Sequence, residues 1–428
     1  MKFSRTIGFI LGCIFTSGVF ASDLLDIYQL ALENDATLNS QKFATEASSL
    51  DNAIIRSRAF PTVSLRGRYE EQRIARSNEV NSTSGEVVLD VPLYMAELKP
   101  ALDSAEADVV IGELRLQKAR QDLYRRVVVA YFDVLASQDD LDTSASEVKA
   151  IAEFLKVTRT RFDVGLGTES DIQNATAREA LARAAQIRDE SAIEAAWISL
   201  MEITGSRPDQ LNRLAENLIV PVLMPDNVEH WIDLALENNP DLAIQGELVN
   251  RSKYAIQAAG ARTGPNVMLG LSRREFADKP RNPNPERSKI TLSISKSFSV
   301  GGYHQKLRKQ ATLNHKAQVQ RELAATQQVR SSVSRTYFNL VSLYNRIRAL
   351  ETARSASQIA LDVTEQSFLV GTVASIDVLN ARHDLFQVTR DLHRARYDYL
   401  NNSIVIRQLA GTLDLFDLEV MNNLLERP

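Results

Sequence analysis

Two stretches of this chain are near copies of one another, and the copy constrains every other feature. Phe162, Val164, Gly165, Asp171, Asn174 and Ala175 recur as Phe368, Val370, Gly371, Asp377, Asn380 and Ala381, 206 positions further on. In each stretch a long helical pattern runs into a short turn, marked by Gly165 and Gly167 or by Gly371 and Thr372, and a new helical pattern begins. This is the signature of an antiparallel helix pair with a tight tip. Two such tips make an internal repeat of the whole architecture.

The elements between the tips must be unusually long, because only 12 Pro and 17 Gly punctuate 428 residues. Lys2 and Arg5, an apolar run from Ile7 to Phe20 and the small-residue ending Val19-Phe20-Ala21 read as a secretory leader over 1–21, so the mature chain is expected to begin at Ser22. The single cysteine, Cys13, falls inside that leader. A mature chain without thiols offers no disulfide, thiolate ligand or cysteine nucleophile. The net charge of -4 excludes the basic footprint of a nucleic-acid binder. No later stretch approaches the roughly 18 apolar residues of a membrane-spanning helix, so membrane contact must be peripheral or through a β-barrel.

Taken in order, the chain states one programme twice. Asp23 to Phe60 has helical periodicity, and Pro61 ends it. Val63, Leu65, Gly67 and Tyr69 then alternate with Ser64, Arg66 and Arg68, and a polar loop leads to a second alternation of Val87, Leu89, Val91 and Leu93 around Asp90. These form a predicted hairpin over 61–94, with strands long enough to cross a membrane at a tilt. A helix of heptad-like rhythm runs on to the first tip at 162–171, and a returning helix ends near residue 204. The Pro-bearing connector 205–226 follows. The second repeat, 227–411, restates the first: Leu234-Ala235-Leu236-Glu237-Asn238 echoes Leu30-Ala31-Leu32-Glu33-Asn34, a second hairpin is expected over 265–299, and a second tip over 368–377. A tail, 412–428, completes the chain. About four membrane-length strands per chain cannot close a barrel, which needs at least eight. Three chains would supply twelve, and their long helices, each reaching about 100 Å, would gather into a tube.

The paired Phe-x-Val-Gly tips with their following Asp-x-x-Asn-Ala, the pairs Tyr131-Phe132 and Tyr337-Phe338, and the ending Leu409-Ala410-Gly411-Thr412-Leu413 resemble the TolC family of outer-membrane channels over the whole mature chain. The resemblance implies a homotrimer, mainly α with membrane β: a twelve-stranded outer-membrane barrel continued by a long α-helical barrel in the periplasm, with an equatorial belt from the connector and tail. It implies an exit duct for drug efflux or type I protein secretion. Its partners would be outer-membrane lipid, a periplasmic adaptor (membrane fusion) protein, and an inner-membrane transporter of the RND, ABC or MFS class. A periplasmic coiled-coil adaptor is the competing reading, since it too uses long helical hairpins, but the duplicated amphipathic strand pairs argue against it.

No cofactor, metal or catalytic centre is expected. His230, His304, His315, His383 and His393 lack the spacing of a metal motif, and no nucleophile elbow or phosphate loop occurs. The working parts are expected at the tips. Asp171 and Asp377 each open a returning helix, where a carboxylate can serve as a cap, and Thr168-x-x-Asp171 has capping-box spacing. The resemblance adds a gate, in which an Asp and a Ser or Thr of the first tip meet a Tyr and an Arg of the second. Ser170 and Asp171 keep the first pair, whereas Phe368 and Val373 stand in place of the Tyr and Arg. A further gating Arg corresponds to Arg396. The family's two pore-facing carboxylates correspond to Asp377 and Asn380, leaving Asp377 alone as the candidate for ion selectivity. The turns at Gly165, Gly167, Gly371 and Thr372 are the candidate adaptor-docking tips. The basic run from Arg390 to Arg396 reads as a solvated helix face or a docking surface.

Overall fold

The computed structural model describes residues 22–72, 80–215, 218, 220–277 and 288–426. The expected leader over 1–21 and the hairpin loop centres 73–79 and 278–287 lie outside the described residues. The first repeat comprises helices α1 (Leu24–Asn34) and α2 (Ala36–Ser57), strands β1 (Thr62–Gln72) and β2 (Val80–Met95), and helices α3 (Leu98–Asp163) and α4 (Glu169–Thr204). A short strand β3 (Arg213–Leu214) lies in the connector. The second repeat follows as α5 (Val228–Asn238), α6 (Pro240–Ala261), β4 (Asn266–Phe276), β5 (Ser288–Ser295), α7 (Tyr303–Leu369) and α8 (Ser375–Leu409), and the tail adds α9 (Leu415–Asn422) and β6 (Leu425–Glu426).

The one helix expected from Asp23 to Phe60 is in fact two. Asp35 leaves the helical region at ψ 111° and caps α2 by accepting from the Leu38 N–H at 2.6 Å. Its carboxylate is clamped by two bonds from Arg126 of α3, at 2.7 and 2.9 Å. Burial would push the Asp35 carboxyl upward, but Arg126 and the backbone N–H groups outweigh it and hold the group below the usual carboxylate range. The second repeat breaks at the same place, where Asn239 caps α6 and Pro240 takes its first turn. That position suits a residue with no N–H to lose.

The long strands form one antiparallel sheet in the order β1-β2-β4-β5, so β2 pairing with β4 joins the two repeats. The register slips between Pro92 and Tyr94, where proline cannot donate to the ladder and the strand bulges. The last strand stops at Ser295 rather than near Ser299. Ser295 pairs with Asn266, the first residue of β4, and Pro265 before it has no N–H with which to extend the ladder.

The helices of 66 and 67 residues, α3 and α7, pair with α4 and α8 respectively, and α8 also packs on α3. The core occupies two separate levels. One is a waist, where α1, α5, α9 and the connector wrap the middle of the long helices around buried Tyr131, Phe132, Trp231, Leu340 and Tyr399. Aromatic polar ends tie the connector down there: the Tyr131 hydroxyl donates to Asn212 O at 2.9 Å, Tyr399 to Pro221 O at 2.6 Å, and the Trp231 indole to Pro225 O at 3.0 Å. Each buried ring thus contributes area and keeps its polar atom satisfied. The second level is a smaller apolar cluster at the tips, separated from the waist by the helices' own length.

Candidate functional site: the paired helical tips

Both outgoing helices end in the same hydrogen-bonded turn. At the first tip the Leu166 N–H donates to Arg161 O at 2.8 Å and the Gly165 N–H to Phe162 O at 2.9 Å. At the second, Thr372 donates to Ser367 O at 2.9 Å and Gly371 to Phe368 O at 3.0 Å. This is a Schellman closure, and it places Gly165 at φ 79° and Gly371 at φ 83°, a left-handed backbone that a side chain strains. Gly167 serves differently: a Cβ there would meet the Phe162 backbone nitrogen at 3.2 Å.

The returning helices open on unequal caps. Thr168 and Asp171 form the full capping box that their spacing predicts, with the Asp171 N–H donating to Thr168 Oγ1 at 3.2 Å and the Thr168 N–H to Asp171 Oδ2 at 2.9 Å. The Thr168 hydroxyl also donates to Oδ2, at 2.7 Å. The other carboxylate oxygen, Oδ1, leaves its own helix and accepts from the Ser375 hydroxyl at the start of α8. Asp171 therefore spans both tips. Desolvation pushes its carboxyl upward, but the bonds from Ser375 and Thr168, with the charge of Arg161, prevail and hold it below the usual range. At the second tip the capping residue is Ala374, which has no hydroxyl, so only half a box exists: the Ala374 N–H donates to Asp377 Oδ2 at 3.1 Å. Asp377 is exposed, and Oδ1 has no partner among the described residues.

Three further contacts cross from the first tip to the second. Arg178 donates to Asn380 Oδ1 at 2.8 Å. Arg161 donates to Leu369 O at 3.2 Å and lies over the Phe368 ring, its guanidinium carbon 4.7 Å from the ring centre. Phe368 is buried and packs on Phe154 of α3 with ring centres 5.2 Å apart, while Val373 lies against the same cluster. The cation and aromatic group of this contact thus sit on opposite tips, worth about 1 kcal/mol in a partly desolvated place. Ser170 is exposed and makes no side-chain hydrogen bond among the described residues. Ser375, only 1% exposed, is the functional-site candidate that residue patterns alone overlooked.

Arg396 lies well away from the tips. It is 21 positions beyond Ser375, the first residue of α8, roughly 30 Å along the helix, and donates to Glu351 of α7 in its own hairpin at 3.1 Å. The rest of the basic run is only in part the solvated face it was expected to be: Arg394 stays more than half exposed, but both its charge and that of Arg390 are paired. Arg390 meets Glu147 of α3, and Arg394 grips Asp140 of α3 through two bonds, at 3.0 and 2.7 Å. His383 adds a second donor to Glu147 at 3.3 Å, and the Tyr397 hydroxyl donates to Asp139 Oδ2 at 2.7 Å. Burial raises the Asp139 carboxyl and lowers the nearby His393 imidazole, in each case against the pull of the neighbouring charge. These rungs bind α8 to α3, so they fasten the second hairpin of helices onto the first.

Comparison with known proteins bears on the whole chain. The family model described as "Outer membrane efflux protein" matches residues 27–206 and 231–412, one match on each repeat. "Outer membrane protein TolC" of Vibrio cholerae is 28% identical over 414 residues, covering 95% of this chain and 94% of that protein. "Alkaline protease secretion protein AprF" of Pseudomonas aeruginosa is 26% identical, covering 94% and 87% of the two chains. Among solved structures, CusC superposes with a TM-score of 0.80 at 16% identity over 92% of this chain and 93% of that one, which shows a shared fold.

Proposed function

Since this chain belongs to the outer membrane efflux protein family, a family of outer-membrane exit ducts for efflux and type I secretion, we propose that three copies assemble as one such duct. The carrying observation is the four-stranded sheet. Its outward face bears Leu65 at 80% exposed and Ile290 at 75%, its other face is charged, and its edges β1 and β5 are unpaired within the chain. Lipid tolerates neither an unpaired strand edge nor a charged face, and closure with two further copies resolves both. Exposed aromatic residues where the strands meet the helices, Phe60, Tyr94, Phe298 and Tyr303, suit the membrane interface. Crosslinked, detergent-solubilised protein should stop at three subunits and conduct ions in a planar bilayer. A stable, non-conducting monomer would contradict the reading.

Within that assembly the connector 205–226 and tail 412–428 act as the equatorial belt, through the antiparallel pairing of β3 with β6. The tips form the periplasmic mouth. The turns at Gly165, Gly167, Gly371 and Thr372 receive a periplasmic adaptor, which couples the duct to an inner-membrane transporter of the RND, ABC or MFS class. No catalytic step is involved. Ser170 belongs to the mouth as a hydrophilic lining residue. Phe368 and Val373 hold the mouth shut by apolar packing in place of a Tyr and an Arg, and Arg396 supports it at a distance by keeping α8 on α7. Three-fold symmetry makes the exposed Asp377 a ring of three carboxylates, which favours cations, with the neutral Asn380 set beside Arg178. The reversal potential across a KCl gradient should move towards zero in Asp377→Asn. An unchanged potential would leave Asp377 with its capping role only.

A further inference from the structure

The charged face of the sheet carries a pattern that the duct reading does not require. Side chains on that face fall into rows set by the strand register, and successive rows lie two residues apart, roughly 7 Å. From the helices outward, the first row holds Asp90 opposite Thr62 and Gly270. The next pairs Ser272 with Lys289, and the one beyond aligns Arg66, Glu86 and Arg274. A fourth row places Arg68 opposite Ser84, and a fifth Glu70 opposite Ser82. Among the described residues, the three middle rows each carry one net positive charge, and single carboxylates flank them. Of the four cations, Arg274 alone has an ion-pair partner among the described residues, Glu86 at 3.2 Å. A concavity of about 430 Å³ on this side is lined in part by Arg66, Arg274 and Lys289.

We infer that the barrel segment of the lumen is an anion-attracting passage, built from Arg66, Arg68 and Lys289, that favours carboxylate-bearing cargo on its way out. The inference rests on the trimeric duct reading. Three-fold symmetry turns each middle row into a ring of net charge +3, and three such rings stacked within about 14 Å act over distances comparable to the Debye length. A low-dielectric wall focuses the field into the lumen rather than letting the solvent dissipate it. The two mouths then have opposite preferences, with fixed carboxylate at the helical tips and fixed cation in the membrane. An acidic segment delivered to the barrel meets attraction, and its local concentration there rises by on the order of tenfold at low ionic strength.

The test uses trimers of the full chain in a planar bilayer at low salt, with octaglutamate as probe. Added on the barrel side, octaglutamate should reduce the current at on the order of tenfold lower concentration than when added on the tip side. The triple variant Arg66→Gln, Arg68→Gln, Lys289→Gln should lose that difference, and the single variant Arg68→Gln, at an exposed and unpaired position that folding does not need, should lose part of it. Equal block from the two sides in the wild type, or a sidedness that survives in both variants, would overturn the inference while leaving the conducting duct intact. A wild-type protein that opens no pore would overturn the duct and the inference together.

Discussion

The two tips follow the same backbone path and differ in what their first carboxylate does. Both close with the same pair of turn hydrogen bonds around a left-handed glycine. Beyond that turn, Thr168 completes a cap that fixes Asp171, whose second oxygen is spent on Ser375 of the other tip. Ala374 completes nothing, and Asp377 keeps one oxygen without a partner among the described residues. Two hydroxyls, those of Thr168 and Ser375, thus separate an acid that belongs to the scaffold from an acid that is left available to solvent and ions. A duplicated fold can be kept by backbone chemistry while the two copies diverge in the few side chains that decide whether a charge is engaged.

The largest break in this comparison should come from Asp171→Ala, which removes a cap and the bond to Ser375 together. A loss of about 2 kcal/mol is expected locally, read as roughly thirtyfold faster hydrogen exchange at the start of α4. Asp377→Ala, with one bond to lose, should cost less than half as much at the start of α8. Gly165→Ala and Gly371→Ala form the control. Nothing lies within 4 Å of a Cβ at either position, so both should pay the left-handed backbone penalty alone, about 1 kcal/mol each. Unequal costs, measured by exchange of the turn amides, would mean the two turns are not equivalent.

A smaller effect should sharpen the comparison from the other side. Ala374→Thr supplies the missing hydroxyl and should slow exchange in the first turn of α8 by about fivefold, near 1 kcal/mol. If the new hydroxyl also engages the free oxygen of Asp377, cation preference in the bilayer should fall with it. The smallest effect concerns acid. Because the folded Asp171 carboxyl titrates below the unfolded one, its contribution is complete above the ordinary carboxylate range, near 4, and is lost only as pH falls through its lower folded value. The difference between wild type and Asp171→Ala in exchange, corrected for intrinsic rates, should therefore be flat from about pH 7 to 5.

What could be read from residues alone was whatever depended on near neighbours in sequence. The alternation Val63, Leu65, Tyr69 against Ser64, Arg66, Arg68 locates a strand and its two faces, and Thr168-x-x-Asp171 locates a cap, because each pattern lies within one element. The break at Asp35 was invisible because helical periodicity continues across it, and only the clamp from Arg126 on another helix makes the kink worthwhile. Its counterpart carried a signal, Pro240 after Asn239, that the first copy lacks. Ser375 gave no signal, being an ordinary first-turn serine until Asp171 arrives from the other tip. The ion pairs of Arg390 and Arg394 were hidden for the same reason: their acids lie on α3, about 250 residues earlier in the chain.

The seam between β2 and β4 has a kinetic consequence. Within each repeat the strands meet across a short loop and the long helices across a tip, so each half can form by local search, the fast regime of folding. The seam instead pairs Ser84 with Phe276, and its closure must wait until the second hairpin exists. During synthesis β2 therefore stands as an open edge for as long as the 166 residues between Met95 and the end of α6 take to emerge, a template for wrong pairing throughout that interval. Even after the seam closes, β1 and β5 remain the edges of the sheet, so in the proposed trimer its last hydrogen bonds would form at a rate set by subunit concentration. Variants that slow the seam, such as an altered bulge at Pro92, should accumulate as aggregation-prone single chains before any defect appears in the finished channel.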